Sequence, residues 1–283
     1  MDPALCPDDL APGDRSVLAR EWSDLRVHRV AGPGDPDFAL GYERLWAEFG
    51  ARGEMERRFV IGERLAWDPA RSVGRARLAY EMLVLRRGDA PVAVRDHTAV
   101  VRLDANGAPA DGPVVAHLSH ALIEPALRGS GIAAWLRALP LATARRCAAA
   151  AGCAPSAPIV LVAEMEPLTP DHPERRPRLR SYERAGFLKI DPASAPYAQP
   201  DFRPAELLGG VTPTPVPLEL VVRRVGREDE RALPAAELAA IVESIYAVYA
   251  AHVPDVALGP LRRAAAEWTR RRASFPLVPP LGA

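Results

Sequence analysis

The sequence predicts an α/β (α+β) protein with a mostly antiparallel central sheet flanked by helices and a helical C-terminal extension. Three observations carry this prediction. Apolar runs at Leu78–Leu85, Val92–Leu103 and Val114–Ile123 are separated mainly by turn chemistry, Arg86-Arg-Gly-Asp-Ala-Pro91 and Asp104-Ala-Asn-Gly107, so three consecutive antiparallel strands are the economical reading. The third run leads at once into a glycine-punctuated turn, Glu124-Pro-Ala-Leu-Arg-Gly-Ser-Gly131, and then an alanine-rich helix. Near the end of the chain Leu238, Ile241, Ile245 and Val248 recur at helical spacing.

The remaining elements follow in order. Residues 1–24 are rich in Asp and Pro and read as a tail or cap, with a short helix around Ser16–Trp22. Leu25–Val30 alternates as a half-buried strand does, and Gly32-Pro-Gly-Asp-Pro36 breaks it. Phe38–Trp67 then carries Leu40, Tyr42, Leu45, Trp46 and Phe49 at helical spacings, with a break at Gly50–Gly53. The helix from Ile132 to about Ala151 should bend or be interrupted at Pro140, which has no N–H to donate. Ile159–Glu164 is a short buried strand, followed by a loop rich in Pro and Arg (Pro167–Pro177) and a helix containing Tyr182. Phe187–Ile190 and Leu218–Arg223 continue the β pattern, and Leu233–Val253 and Leu261–Arg272 close the chain as helices. The expected organisation is a tail over 1–24, a main domain over 25–224 and an extension over 225–283.

Composition narrows the function. At 283 residues the chain builds its own core, and 36 basic against 36 acidic side chains leave no net charge to draw it to nucleic acid or anionic lipid. Lys189 is the only lysine, so the basic set is almost all arginine. Cys6, Cys147 and Cys153 fit neither a disulfide framework nor a zinc site, and the N-terminus lacks the basic and apolar regions of a signal peptide. No apolar run approaches the ~20 residues that span a bilayer. The expectation is a cytoplasmic protein without nucleic-acid or membrane partners.

The strand, glycine turn and helix N-terminus over Val114–Leu136 make an anion site. The first N–H groups of a helix have no intrahelical acceptor, and the macrodipole adds partial positive charge, so a phosphate is held without lysine. Gly129 and Gly131 let the backbone approach closely. No Gly-Lys-Ser/Thr follows, which excludes a Walker loop, and the three glycines of a dinucleotide fingerprint are missing.

Arg128-Gly-Ser-Gly-Ile-Ala133 resembles the Arg/Gln-x-x-Gly-x-Gly/Ala signature of the GNAT superfamily of N-acetyltransferases, and Ser181-Tyr-Glu-Arg-Ala-Gly-Phe187 resembles that family's Tyr-x-x-x-Gly-Phe segment. Order and separation agree, and the element order β-α-α-β-β-β-α-β-α-β extends the resemblance over about Leu25–Arg224. It implies a GNAT-like mixed, mostly antiparallel sheet and transfer of an acetyl group from acetyl-coenzyme A to a primary amine. Leu122, Ile123, Arg128, Gly129, Ser130, Gly131, Ile132 and Ala133 would then hold the cofactor, and Tyr182 would give a proton to its sulfur. A free phenol titrates near ~10 and so carries that proton at neutral pH. One departure stands out: where many members carry an asparagine before the tyrosine, this chain has Glu164-Met-Glu166-Pro.

The base is sought among Glu81, His117, His120, Glu164 and Glu166, all on strands that the resemblance puts near the cleft. His117 and Glu164 are the catalytic candidates beside Tyr182. On a regular strand His117 shares a face with Ser119 and Ala121 while His120 points away, so the two histidines diverge and no metal is expected. Arg175, Arg176, Arg178 and Arg180 form a basic cluster suited to a cofactor phosphate or an acidic acceptor, with a solvated face as the ordinary alternative. A module that binds coenzyme A or an acyl thioester without turnover is the alternative function, and a homodimer through the C-terminal helices is compatible with either. The amine acceptor, a small molecule or a peptide, is not specified by the sequence.

Overall fold

The turn chemistry at 86–91 and 104–107 produces the antiparallel strands expected of it: β3 (Ala76–Arg87), β4 (Ala90–Arg102) and β5 (Val114–Ile123). The computed structural model describes residues 5–203, 206, 209 and 213–282, and its sheet has eleven strands. Besides these three they are β1 (Leu25–Arg29), β2 (Ser72–Val73), β6 (Ile159–Met165), β7 (Leu188–Ile190), β8 (Tyr197–Gln199), β9 (Val216–Arg224), β10 (Ala232–Pro234) and β11 (Ser274–Val278). The order is β1-β3-β4-β5-β6-β9-β7-β11-β10, with β2 on β3 and β8 on β9. Among the described residues only β5 and β6 pair in parallel, so the sheet is mixed and mostly antiparallel, as expected. Residues 1–4, the start of the expected tail, lie outside the described residues.

Alternation along β3 sorts the core. Leu78, Tyr80, Met82 and Val84 face one side with Val94 and Val100, while Ala79, Leu83 and Leu85 face the other with Ala93, Ala99 and Val101. The first face is covered by α1 (Pro36–Phe49) and α2 (Arg58–Arg64), and by α6 (Ala235–Ala250) and α7 (Asp255–Arg270) of the C-terminal segment. The second carries α3 (Ile132–Ala138), α4 (Pro140–Ala151) and α5 (Arg176–Arg184). Asp35 caps α1 by accepting from the Asp37 N–H at 2.9 Å, with Pro36 in the first turn. Pro140 acts as foreseen: the helix after the glycine turn divides there, and Pro140 opens α4, where a missing N–H costs nothing.

The C-terminal segment holds more than the two expected helices. β10 and β11 extend the sheet, and Leu238, Ile241, Ile245, Val248, Leu258 and Phe275 are buried in one cluster with Leu78, Val100, Val115 and Val160 of the central strands. At the other end, residues 5–22 pack over α3: Trp22 meets Trp135 edge-on at 6.1 Å, and Leu5, Leu10 and Val17 join the same core.

Candidate functional site

Parallel pairing of β5 with β6 ends at His117 opposite Val162, yet β5 continues to Ile123 and β6 to Met165, the latter paired only with β9. The two strands therefore part just beyond His117, and the site is built at this opening.

His117 Nε2 lies 2.7 Å from Glu164 Oε2, joining two of the catalytic candidates across the gap. Glu164 also accepts from the Tyr197 hydroxyl at 2.5 Å and from the Tyr249 hydroxyl. Burial alone would raise this carboxyl, but the bonds from His117, Tyr197 and Tyr249 outweigh it and hold the group below the ordinary carboxylate range. Burial pushes both phenols well above theirs, so they remain donors. An ionised Glu164 takes the His117 Nε2 proton as a hydrogen bond, which leaves the lone pair on Nδ1. That Nδ1 is buried and has no partner among the described residues. Tyr249 comes from α6, so the C-terminal segment supplies part of the site.

The expected divergence of the two histidines does not occur. Between the pairs Thr98–His117 and Asp96–His120 strand β5 advances three residues while β4 advances two. This bulge places both rings on the α1–α6 face. Their roles still differ. His120 Nδ1 is 2.9 Å from Asp96 Oδ1 and its Nε2 is 2.8 Å from the Glu54 carbonyl oxygen, while Tyr80 donates to Asp96 at 2.9 Å. Burial disfavours the His120 charge, but Asp96 more than compensates and lifts it to about 9; burial likewise disfavours the Asp96 charge, and His120 and Tyr80 bring it down to about 2. His120 is thus an imidazolium that ties the loop after α1 to the sheet.

The sign of the pH dependence follows. The raised His120 contributes stability in full below its ordinary 6.5, and loses it as pH rises through about 9. The depressed Asp96 contributes above 3.8, and loses it as pH falls through about 2. The melting temperature is therefore expected to drop between about pH 6.5 and 9, and Asp96→Asn should cost ~3–5 kcal/mol at neutral pH by leaving a buried cation unpaired. A flat melting profile to pH 10 would remove His120 from this role.

The other base candidates go elsewhere. Glu81 faces the α4 side, bonded to Thr143 at 2.9 Å and paired with Arg29 and Arg146. Glu166 is neutralised by Arg175 at 2.9 Å and Arg178 at 2.7 Å, so two arginines of the basic cluster are committed to it.

The glycine turn has the expected backbone. Gly129 and Gly131 have φ of 78° and 98°, which other residues rarely adopt, and Gly131 caps α3. Leu122 and Ile123 end β5, half-buried. Ser130 Oγ accepts weakly from the Ile132 N–H at 3.4 Å, Arg128 Nε reaches the Ile123 carbonyl at 3.3 Å, and Ala133 lies half-buried in the first helical turn. The N-terminal segment adds a residue the sequence did not reveal: Arg20 donates to the Ser130 and Gly129 carbonyl oxygens, placing a guanidinium at the turn. Tyr182 lies on the α3–α5 face, with Phe187 edge-on at 4.8 Å and the Arg137 guanidinium 5.6 Å from its ring centre. It is not in contact with the His117–Glu164 pair; the gap between β5 and β6 separates the two.

His28, Asp35 and Asp37 bring three ligand atoms within 4.8 Å, but Arg86 pairs with Asp37, and His28 already bonds Asp35 at 2.9 Å. No helix among the described residues is long and apolar enough to cross a membrane.

No family model matches the chain, and no curated protein does. Among solved structures the chain is similar to a tandem GNAT protein from the clavulanic acid biosynthesis pathway, described without AcCoA, at 20% identity over 62% of this chain and 46% of that one, with a TM-score of 0.37. It is also similar to Escherichia coli ElaA, at 14% identity over 71% of this chain and 99% of that one, with a TM-score of 0.32. The chain thus spans less than half of the tandem protein. At such distance the site's own geometry has to carry the function.

Proposed function

We propose that the chain is a coenzyme A-dependent N-acyltransferase that moves an acyl group, acetyl in the simplest case, from a thioester to a primary amine. The observation that carries this reading is the His117–Glu164 pair at the opening of β5 and β6, with the glycine turn at the end of the same strand. A pantetheine arm running from the turn along β5 brings its thioester to the opening. There the amine's lone pair attacks the carbonyl carbon while its surplus proton passes to His117 Nδ1. The C–S bond then breaks, and the departing thiolate takes the Tyr182 hydroxyl proton from the α3–α5 side. Glu164, Tyr197 and Tyr249 hold the imidazole in the tautomer that can accept.

The burial of His117, 2% exposed, favours a second reading in which the chain holds a thioester without turnover. Binding is common to both, so it is tested first. Coenzyme A and acetyl-coenzyme A should raise the melting temperature by mass action. Gly129→Val should weaken that binding at least tenfold: a Cβ there meets nothing within 4 Å of the protein, so the substitution acts through backbone strain and the phosphate approach. At Gly131 a Cβ would come 2.8 Å from Val17, which mixes the effect with displacement of the N-terminal segment. Absence of any shift at millimolar ligand would end the coenzyme A reading. Binding without thiol release across a panel of amines would favour the second.

A further inference from the structure

Five arginines are buried in the described structure, and four of them have a carboxylate. Arg64 pairs with Glu56, Arg137 with Asp14 at 2.7 Å, Arg223 with Glu228 at 2.9 Å, and Arg224 with Glu237 at 2.8 Å and with Glu230. Arg95 is the exception. It is 1% exposed, and no carboxylate among the described residues forms an ion pair with its guanidinium, whose polar neighbour is the Tyr182 hydroxyl.

Its surroundings explain why no carboxylate serves it. Arg95 lies on β4 in phase with Ala93 and Ala99, so it faces the α3–α5 side, where the Tyr182 phenol lies against it and the Arg137 guanidinium opposes its charge, while Asp96 acts on it only from the next position along the strand. The Asp14 carboxylate is engaged in a two-pronged bond to Arg137. Asp96, the adjacent acid, points to the opposite face and is occupied by His120 and Tyr80. Desolvating a cation costs several kcal/mol unless an anion compensates, and a guanidinium does not escape by losing its proton.

We propose that Arg95 receives a carboxylate carried on the acyl group of the donor, so that the thioester used is a short dicarboxylic one, of the malonyl or succinyl class, rather than acetyl. The inference rests on the acyltransferase reading and deepens it. The Tyr182 phenol, proposed to give its proton to the thioester sulfur, lies against Arg95, and that adjacency puts the acyl chain of the proposed complex beside the guanidinium. An acetyl methyl leaves the guanidinium uncompensated, whereas a terminal carboxylate accepts two parallel N–H bonds from its fork. That carboxylate takes no part in bond making; it selects the donor.

Calorimetric titration of the full chain with acetyl-, malonyl- and succinyl-coenzyme A tests this. Wild type is expected to bind at least one of the two acidic thioesters tenfold or more tightly than acetyl-coenzyme A, and Arg95→Met should reduce that ratio to within about twofold. The variant should fold, because it removes a buried charge that no carboxylate pairs; should it fail to fold, equal binding of the three thioesters by wild type still overturns the assignment. Equal binding of all three by wild type, or an unchanged preference in Arg95→Met, overturns the donor assignment and leaves the acyltransferase reading standing. Failure of wild type to bind any of the three overturns both.

Discussion

His117→Gln and Glu164→Gln should each lower turnover of an amine by ~10²–10⁴-fold, the usual cost of a lost general base or of its wrong tautomer, with thioester affinity changed less than about twofold. The two variants act differently. In the first the acceptor nitrogen is gone. In the second the imidazole remains, but an amide has a donor as well as an acceptor, so the proton on Nε2 is no longer enforced and Nδ1 loses its standing as base. Tyr182→Phe belongs in the same series, because the hydroxyl matters only when charge develops on sulfur, and its loss should appear in turnover rather than in binding. Thiol release and binding measured side by side decide the question. A His117→Gln enzyme within twofold of wild type would make the pair structural.

Removal of the chain after Val225 should leave no folded protein at all. The segment buries Leu238, Ile241, Ile245, Tyr246, Val248, Leu258 and Phe275, and its loss would strip cover from Leu78, Val100, Val115, Val160 and Val162. At ~1.5–3 kcal/mol for each large apolar side chain returned to water, the loss exceeds the ~5–15 kcal/mol by which domains are stable. Circular dichroism and gel filtration of the truncated chain should show an unfolded or aggregated product. A monodisperse, cooperatively melting one would return the segment to the status of an appendage. The same deletion removes Tyr249 from Glu164, so fold and site share a dependence on residues far along the chain.

Much of the fold was legible because its signals are local. Turn residues between apolar runs specify the β3-β4-β5 meander, Pro140 divides a helix where a donor is missing, and Gly129 and Gly131 mark a turn that needs positive φ. The residues of the glycine turn, and His117 and Glu164 as separate candidates, were within reach for the same reason, each lying on an element with a readable period, whereas the pairing of the last two was not. Arg95-Asp96-His97-Thr98, by contrast, sits inside the Val92–Leu103 run that reads as apolar, and nothing local says which partner each residue finds.

What tertiary structure alone decided was relative phase and long-range partnership. A single extra residue in β5 put His117 and His120 on one face, and a bulge has no sequence signature when neither strand carries a glycine there. Tyr249 and Tyr197 met Glu164 from 85 and 33 residues away, Arg20 reached a turn 110 residues distant, and β10 and β11 joined the sheet as strands of three and five residues. The physical reason is common to all of these. Local propensity and hydrophobic period describe how a segment is shaped and which side it buries, whereas the burial of a charge is settled only by which opposite charge the folded chain delivers to it, as Asp96 is delivered to His120 and as no carboxylate is delivered to Arg95.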